Sequence, residues 1–206
     1  MKKTDIKRFV DAYKRTGGKY SFKYLDEAIY GLCKKYPAHL NEEQVFAKIV
    51  LVNNVYRTNI HMSKSEAEWK LAGYYVKEKI DKYLSPLKDI KQFNQDTSEK
   101  IINTHGELMR ITKRALGRNE VSFCSKYLNF HFPNIIPIYD SRANKSVWEY
   151  IGNSLNHLDY EDNINAEYAY YCAAILEMID VLKKCGVRKP SLKIIDVLLY
   201  DTLHED

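Results

Sequence analysis

The sequence predicts an all-α protein, and three observations support this prediction. Apolar residues recur every three or four positions through most of the chain, which is the spacing of an amphipathic helix. Glycine and proline are scarce, with 8 and 5 copies among 206 residues. No stretch alternates apolar and polar residues as a half-buried strand would. About ten helices are expected from this pattern. The predicted helices are 5–15, 22–36, 42–56, 64–84, a short one within 87–96, 98–116, 121–132, 142–151, 165–185 and a last one from 190.

Capping signals mark the beginnings of helices in the first half of the chain. Asn41 precedes a helix that has Gln44 at its third position, a pattern that resembles a capping box. This helix, 42–56, is strongly apolar, so we expect it to be central and buried. Ser21 and Ser63 precede two other helices and are expected to cap them.

Glycine and proline mark the ends of helices in the second half. Gly117 is expected to be the C-cap of helix 98–116, because glycine readily adopts the left-handed conformation that ends many helices. Pro133 ends the following helix, since proline supplies no backbone N–H and clashes with the preceding turn. Gly152 is expected to end the next helix as Gly117 does.

The position of one carboxylate, Asp140, is closely defined by its neighbours. An apolar connector, 134–139, follows Pro133, and Pro137 keeps it extended. Asp140 and Ser141 come directly before the next amphipathic helix, where a side-chain oxygen can accept hydrogen bonds from the first backbone N–H groups. A carboxylate there also lies at the positive end of the helix dipole, which favours its ionised form. The sequence therefore predicts a capping Asp140 at the mouth of a helical hairpin.

Two regions resemble the helix-hairpin-helix DNA glycosylases, especially their 8-oxoguanine glycosylase branch. The first is a helix, Gly117, a second helix and then the string PIYDSR, which has Asp140 where that family has its catalytic aspartate. The second is VLVNNVYRTN, residues 50–59, where the family has a buried helix followed by a polar turn facing the gap left by a flipped base. The resemblance spans residues 42–151 and is one of pattern and order.

This resemblance implies a set of site residues. Asp140 would be catalytic, by stabilising the positive charge that develops at C1′ as the base leaves and by orienting the attacking group. Lys126 is the lysine nearest to the family's nucleophile, and it would need a lowered pKa to attack. Aromatic side chains would line a pocket for the flipped base. Candidates for that lining are Tyr56, Phe123, Tyr139 and Trp148. The expected DNA- or base-binding residues are Asn53, Asn54, Tyr56, Arg57, Gly117, Arg118, Tyr139, Ser141 and Arg142.

The hairpin departs from the family pattern in two ways. The family's motif has two glycines, which let backbone N–H groups approach a DNA phosphate, whereas only Gly117 is present here and Glu120 opposes a phosphate. Members with lysine chemistry carry the lysine in the first turn of the second hairpin helix, and that turn holds none here. Lys126 lies about one and a half turns further on and, at roughly 100° per residue, faces another side. Either the register differs or the lysine chemistry is absent, and we expect water to be the nucleophile.

The same residues also have purely structural interpretations. Asp140 serves as a helix cap in either case, and the two roles are compatible. Asn53 and Asn54 end a buried helix, where C-capping is an alternative to base recognition. Lys126 can be solvated or ion-paired. His131, beside the connector, is assigned a core or capping role rather than a catalytic one.

Composition and charge limit the classes of function. The 32 Lys and Arg exceed the 27 Asp and Glu, which gives a net charge of +5 and is compatible with a phosphate-backbone partner. No apolar run reaches the length of a membrane span, and the N-terminus lacks a secretory signal pattern. Four scattered cysteines without a CxxC pair indicate reduced thiols, so a cytoplasmic location is expected. No zinc, iron–sulfur or nucleotide-loop motif occurs, so no metal or cofactor is predicted.

We therefore predict an all-α, helix-hairpin-helix DNA glycosylase-like fold with two helical lobes around a cleft. The chain would form one globular domain, or two lobes of residues 42–116 and 117–206 with the N-terminal helices. The predicted function is DNA binding with hydrolytic excision of a damaged or modified purine, as in DNA repair. Two alternatives stay open: a non-catalytic DNA- or nucleotide-binding member of the fold acting in defence or repair, and a helical protein-interaction module.

Overall fold

Ten α-helices make up most of residues 3–16, 23–60, 66–151 and 165–201, which this computed structural model describes. These ranges contain no β-strand, and residues 85–87 form a 3₁₀ helix, which confirms the all-α prediction. None of their helices combines the length and hydropathy that a membrane crossing requires. The helices are α1 (Lys3–Thr16), α2 (Lys23–Lys35), α3 (Glu42–Tyr56), α4 (Ala67–Lys77), α5 (Asp81–Leu84), the 3₁₀ helix (Ser85–Leu87), α6 (Gln95–Leu116), α7 (Val121–His131), α8 (Ser141–Ile151), α9 (Ala166–Lys184) and α10 (Leu192–Asp201).

Local capping signals define several helix ends as predicted. The Asn41 side chain accepts a hydrogen bond from Gln44 N at 2.9 Å, which caps α3. Gly117 ends α6 with φ at 81°, in the left-handed region, and its N–H bonds to Lys113 O at 2.7 Å. The predicted caps Ser21 and Ser63 and the predicted stop at Gly152 lie outside the described residues.

The prediction of one long helix over 64–84 is wrong. Helix α4 ends at Lys77, and Lys79 adopts a left-handed φ of 50°. The break changes the direction of the chain, and Ile80, Leu84 and Leu87 after it are almost completely buried. Burial of apolar surface therefore outweighs the helical preference of this stretch, because a continuous helix would direct the chain elsewhere. Helix α6 also begins earlier than predicted, since the capping box of α6 is formed by Asn94.

The chain divides into two compact units, Phe22–Ile136 and Met1–Ser21 with Pro137–Asp206. These bounds differ from those expected for two lobes, 42–116 and 117–206 with the N-terminal helices. The reason is the packing of α7, which contacts α2, α3 and α6 and so belongs with the helices before it. We call Phe22–Ile136 the central unit and the other the terminal unit.

The central unit is built around α3 and α7. Helix α3 packs against α2, α4 and α7, and α6 packs against α4, α5 and α7. The side chains of Val45, Ile49 and Val52 have no exposed surface, which agrees with the expected central position of α3. Burying three such apolar side chains contributes about 5–9 kcal/mol of transfer free energy before the loss of chain entropy is subtracted.

In the terminal unit, α8 packs against α9 and α10, and α1 packs against α10. Phe9 and Tyr150 bring α1 and α8 together, with ring centroids 5.0 Å apart. Tyr13 Oη accepts a hydrogen bond from Ser191 N at 2.6 Å, just before α10 begins. Residues that are far apart in the chain thus form this unit.

The left-handed Gly117 gives the first prediction. Gly117→Ala should lower the free energy of unfolding by about 1–2 kcal/mol, because a Cβ disfavours this backbone conformation even though no atom lies within 4 Å of its position. Urea denaturation measures the change.

Gly31→Ala is the matched control, because Gly31 lies inside α2 and an added Cβ also meets open space. That variant should raise the free energy of unfolding by about 0.5–1 kcal/mol, since alanine favours the helix. Equal effects of the two substitutions would contradict the left-handed cap.

Candidate functional site

Asp140 lies half-buried at the first turn of α8, in the terminal unit. Its Oδ1 accepts a hydrogen bond from Arg142 N at 3.0 Å, and its carbonyl accepts one from Asn144 N at 2.8 Å. This is N-cap geometry, so the capping interpretation of Asp140 is confirmed. Ser141 and Arg142, both predicted to bind DNA, are exposed on the same turn.

Tyr139, next to Asp140, is buried and fixed by side-chain hydrogen bonds. Its hydroxyl donates to Glu167 Oε1 on α9 and accepts from Asn144 Nδ2 at 3.4 Å. Trp148 Nε1 donates in turn to Asn144 Oδ1 at 3.0 Å. Burial and the bond to Glu167 raise the pKa of Tyr139, which keeps the phenol neutral. The Tyr139 hydroxyl is thus used in hydrogen bonds within the terminal unit. Glu167 was not identified from the sequence as a neighbour of this site.

Lys126 lies beyond the first turn of α7, in the central unit, and is almost fully buried. Its Nζ donates to Ser122 Oγ at 2.8 Å and lies 5.5 Å from the ring centroid of Tyr56. The Tyr56 hydroxyl donates to Oδ1 of Asp26, a fully buried carboxylate on α2. The structure therefore brings together Lys126 and Tyr56, which were predicted, with Asp26 and Ser122, which were not. Asp140 belongs to the other unit.

The two asparagines at the end of α3 have different environments. Asn53 is buried, and its Nδ2 donates to Glu68 Oε1 on α4 at 2.8 Å. Its Oδ1 accepts from Thr58 Oγ1 at 2.8 Å and from Ile60 N at 3.2 Å. Asn53 therefore stabilises the turn after α3. Asn54 is exposed, and so is Arg57, which forms the left-handed C-cap of α3 with φ at 48°.

The turn between α6 and α7 uses its arginine internally. The guanidinium of Arg118 pairs with Glu120 and donates from Nη2 to Asn59 O at 2.8 Å. Burial raises the pKa of the Glu120 carboxyl, although Arg118 acts in the opposite direction. Arg118 must exchange these partners to reach a phosphate, so this turn departs from the family's phosphate-binding pattern at Arg118 as well as in its single glycine.

Another group of polar residues packs together in the central unit and includes none of the predicted site residues. Asp81, at the start of α5, accepts hydrogen bonds from His39 N at 2.8 Å and from His39 Nδ1 at 2.7 Å. Lys48, a fully buried residue of α3, donates to Tyr36 O at 2.9 Å and Ala38 O at 3.2 Å. These side chains fasten the loop between α2 and α3 to the core.

Three rings meet beside that loop. The ring centroids of His39 and His131 are 4.7 Å apart. The ring centroid of Tyr127 lies 5.8 Å from that of His39 and 5.3 Å from that of His131. Burial lowers the pKa of both histidines, so each imidazole is neutral near pH 7. The core role assigned to His131 is thus supported. No pattern in the sequence pointed to the other residues of this group, because the side chains around them come from α2, α3, α5 and α7, which are separate segments of the chain.

No group of three or more His, Cys, Asp or Glu side chains in the described ranges is arranged to hold a metal ion. A surface groove of the central unit is lined by lysines and carboxylates in a mixture, and it includes none of the predicted site residues. Its charged lining residues are Lys82, Asp96, Glu99, Lys100 and Glu107.

A family of N-terminal domains, HI_0787_N, matches the chain over residues 5–135. This range is well over half of the chain and includes every helix from α2 to α7. Asp140 lies outside it, whereas Asn53 and Lys126 lie inside. No curated protein and no solved structure gives a significant match.

The role of Asn53 gives the second prediction. Asn53→Ala should lower the free energy of unfolding by about 1–3 kcal/mol, because Ile60 N–H and Glu68 lose a buried partner. The exposed Asn54→Ala serves as the control and should stay within about 0.5 kcal/mol of the parent. Urea denaturation measures the free energy of unfolding of both variants. A small effect of Asn53→Ala would contradict the structural role of Asn53 and leave base recognition as its predicted role.

Proposed function

We propose that this chain, which belongs to the HI_0787_N family, is a DNA-binding protein that hydrolyses the N-glycosidic bond of a damaged or modified purine. The helix-hairpin-helix glycosylase-like fold is part of this proposal. The supporting observation is the order of elements: α6, a turn at Gly117, α7, a proline-containing connector, and Asp140 capping α8. This order matches the one that the resemblance requires.

Asp140 carries the chemistry in this proposal. An ionised carboxylate at a helix N-terminus is favoured by the helix dipole and by the N–H of Arg142. Its negative charge would stabilise the positive charge that develops at C1′ as the base leaves, and the carboxylate would orient the attacking water. Capping and catalysis use the same ionised form, so the two roles do not compete.

Water rather than Lys126 is the nucleophile in the proposal. Lys126 is buried, holds a hydrogen bond to Ser122 and lies beyond the first turn of α7. An attacking amine must approach within roughly 3–3.5 Å of the reacting carbon. The amine would have to leave its buried position to do so. Release of the base without strand cleavage is the expected outcome.

A non-catalytic DNA- or nucleotide-binding role is the second candidate. It is favoured by the turn at Gly117, where Arg118 is already bonded to Glu120 and to Asn59 O. A hairpin with this internal pairing and a single glycine would hold DNA weakly. Excision assays separate the two candidates, because only the first releases a base.

DNA binding is the third prediction. Duplex affinity should fall steeply with salt, by about 40-fold between roughly 50 and 200 mM if three phosphates are contacted. Fluorescence anisotropy measures this dependence. Arg142→Gln should flatten the slope of log affinity against log salt by about one unit.

Arg110→Gln is the control for binding, because Arg110 is an exposed arginine on α6 outside the predicted site. Its slope should equal that of the parent. Absence of duplex binding even at low salt would rule out both nucleic-acid functions.

The fourth prediction concerns Asp140→Asn. Asparagine is also a good N-cap, so stability should change by less than about 1 kcal/mol, while excision should be lost with the negative charge. The measurement is release of the free base from duplexes that carry different purine lesions.

Borohydride trapping on the cleaved substrate tests the nucleophile. No covalent protein–DNA adduct is expected, and Lys126→Gln should leave base release unchanged if the variant folds. An adduct that disappears in Lys126→Gln would make lysine the nucleophile, and excision by Asp140→Asn at the parent rate would reduce Asp140 to a cap.

A further inference from the structure

The loop between α2 and α3 is fastened to the central unit by charged and titratable side chains from three helices. Lys48 of α3 bonds to two of its carbonyls, and Asp81 of α5 bonds to the backbone and ring of His39. On the other side of His39 lies α7, with the rings of Tyr127 and His131.

Three polar atoms of this cluster are buried without a hydrogen-bond partner among the described residues. They are His39 Nε2, His131 Nε2 and Tyr127 Oη. A neutral imidazole tolerates this position at a modest cost. A protonated ring adds a buried positive charge whose Nε2–H has no acceptor, and only His39 has a carboxylate partner, Asp81, at its other ring nitrogen. The two rings are also neighbours, so two positive charges would lie side by side.

We propose that His39 and His131 form a proton-responsive latch, which holds the α2–α3 loop against α7 while both imidazoles are neutral and releases it when they are protonated. The groups that face the latch are Cys33 from α2, Lys48 from α3, Asp81 from α5 and Tyr127 from α7. Lys48 is positive and opposes protonation of both histidines. Asp81 favours protonation, and its carboxylate is already bonded to the His39 ring.

The pH at which the latch opens follows from the histidines. In the closed state their pKa values lie below the ordinary value of 6.5, first because of burial, whereas an opened loop restores that value. The open state therefore binds more protons, so the closed state loses stability as pH falls below 6.5. Burial works to raise the pKa of Asp81, but bonds from His39 lower it to about 2, so Asp81 stays ionised throughout. Cys33, whose pKa burial raises to about 11, stays a neutral thiol.

Native-state hydrogen exchange of the parent chain tests the latch at His39 N–H, which donates to Asp81. After correction for intrinsic exchange, the opening constant should rise about 15-fold between pH 6.5 and about 5 if one histidine takes up a proton, and about 250-fold if both do. The buried amide of Leu108 in α6 reports global unfolding. It should stay protected where His39 opens.

Two variants separate the histidines from the rest of the cluster. His131→Gln should reduce the rise at His39 by about 15-fold or abolish it, because one titrating group is removed. Tyr127→Phe is the control, since it removes a buried, unpartnered hydroxyl that does not titrate in this range, and it should keep the pH dependence of the parent.

The latch would be overturned by an opening constant that does not change with pH, by His131→Gln behaving as the parent, or by Leu108 opening together with His39. If His131→Gln does not fold, NMR titration of the His131 ring in the parent decides. A ring that stays neutral well below pH 6.5 in the folded protein supports the latch, and one that titrates at its ordinary value overturns it.

Discussion

Every residue of α7 from Phe123 to Phe130 is buried, and several of them form side-chain hydrogen bonds. Ser125 Oγ bonds to Ser122 O, Lys126 Nζ to Ser122 Oγ, and Asn129 Nδ2 to Ile136 O. The Tyr30 hydroxyl on α2 donates to the other end of the Asn129 amide at 2.9 Å. A buried polar group without a partner costs about 1–3 kcal/mol, so these bonds fix how α2 and the connector after α7 lie on this helix. Ile136, which accepts one of these bonds, is the last residue of the central unit.

Buried polar side chains hold the loops of the central unit by the same physics. Asn53 closes the turn after α3, and Lys48 with Asp81 fastens the loop before it. One helix thus fixes both of its flanking loops, through an amide and an ammonium that have almost no exposed surface. Burying this ammonium still costs free energy, because burial disfavours the charged form of Lys48 and lowers its pKa to about 8. The latch therefore belongs to a region where charge and burial already oppose each other.

The carboxylate of Asp140, in the terminal unit, has a different environment. Asp140 remains half-exposed, and it accepts hydrogen bonds from the backbone N–H groups of Arg142 and Asn144 in its own helix. Glu167, by contrast, is bonded to a buried tyrosine and helps to join α9 to the connector. Of these two carboxylates, Asp140 is the one that follows the proline-containing connector and caps α8, which is why the proposed chemistry is assigned to it.

The sequence by itself determined the helices and most of their ends. Asn41, Gly117 and Asp140 act on backbone groups within about one turn of their own positions, so their effects can be predicted without knowledge of the fold. Only the tertiary structure decided the break at Lys79, the burial of Lys126 and the partners of Asn53, Tyr56 and Tyr139. The partner of Asn53 lies 15 residues away, that of Tyr139 lies 28 away and that of His39 lies 42 away. Such contacts arise when separate helices pack to bury apolar surface, and no local pattern in a single sequence records which distant side chain will then satisfy a buried polar group.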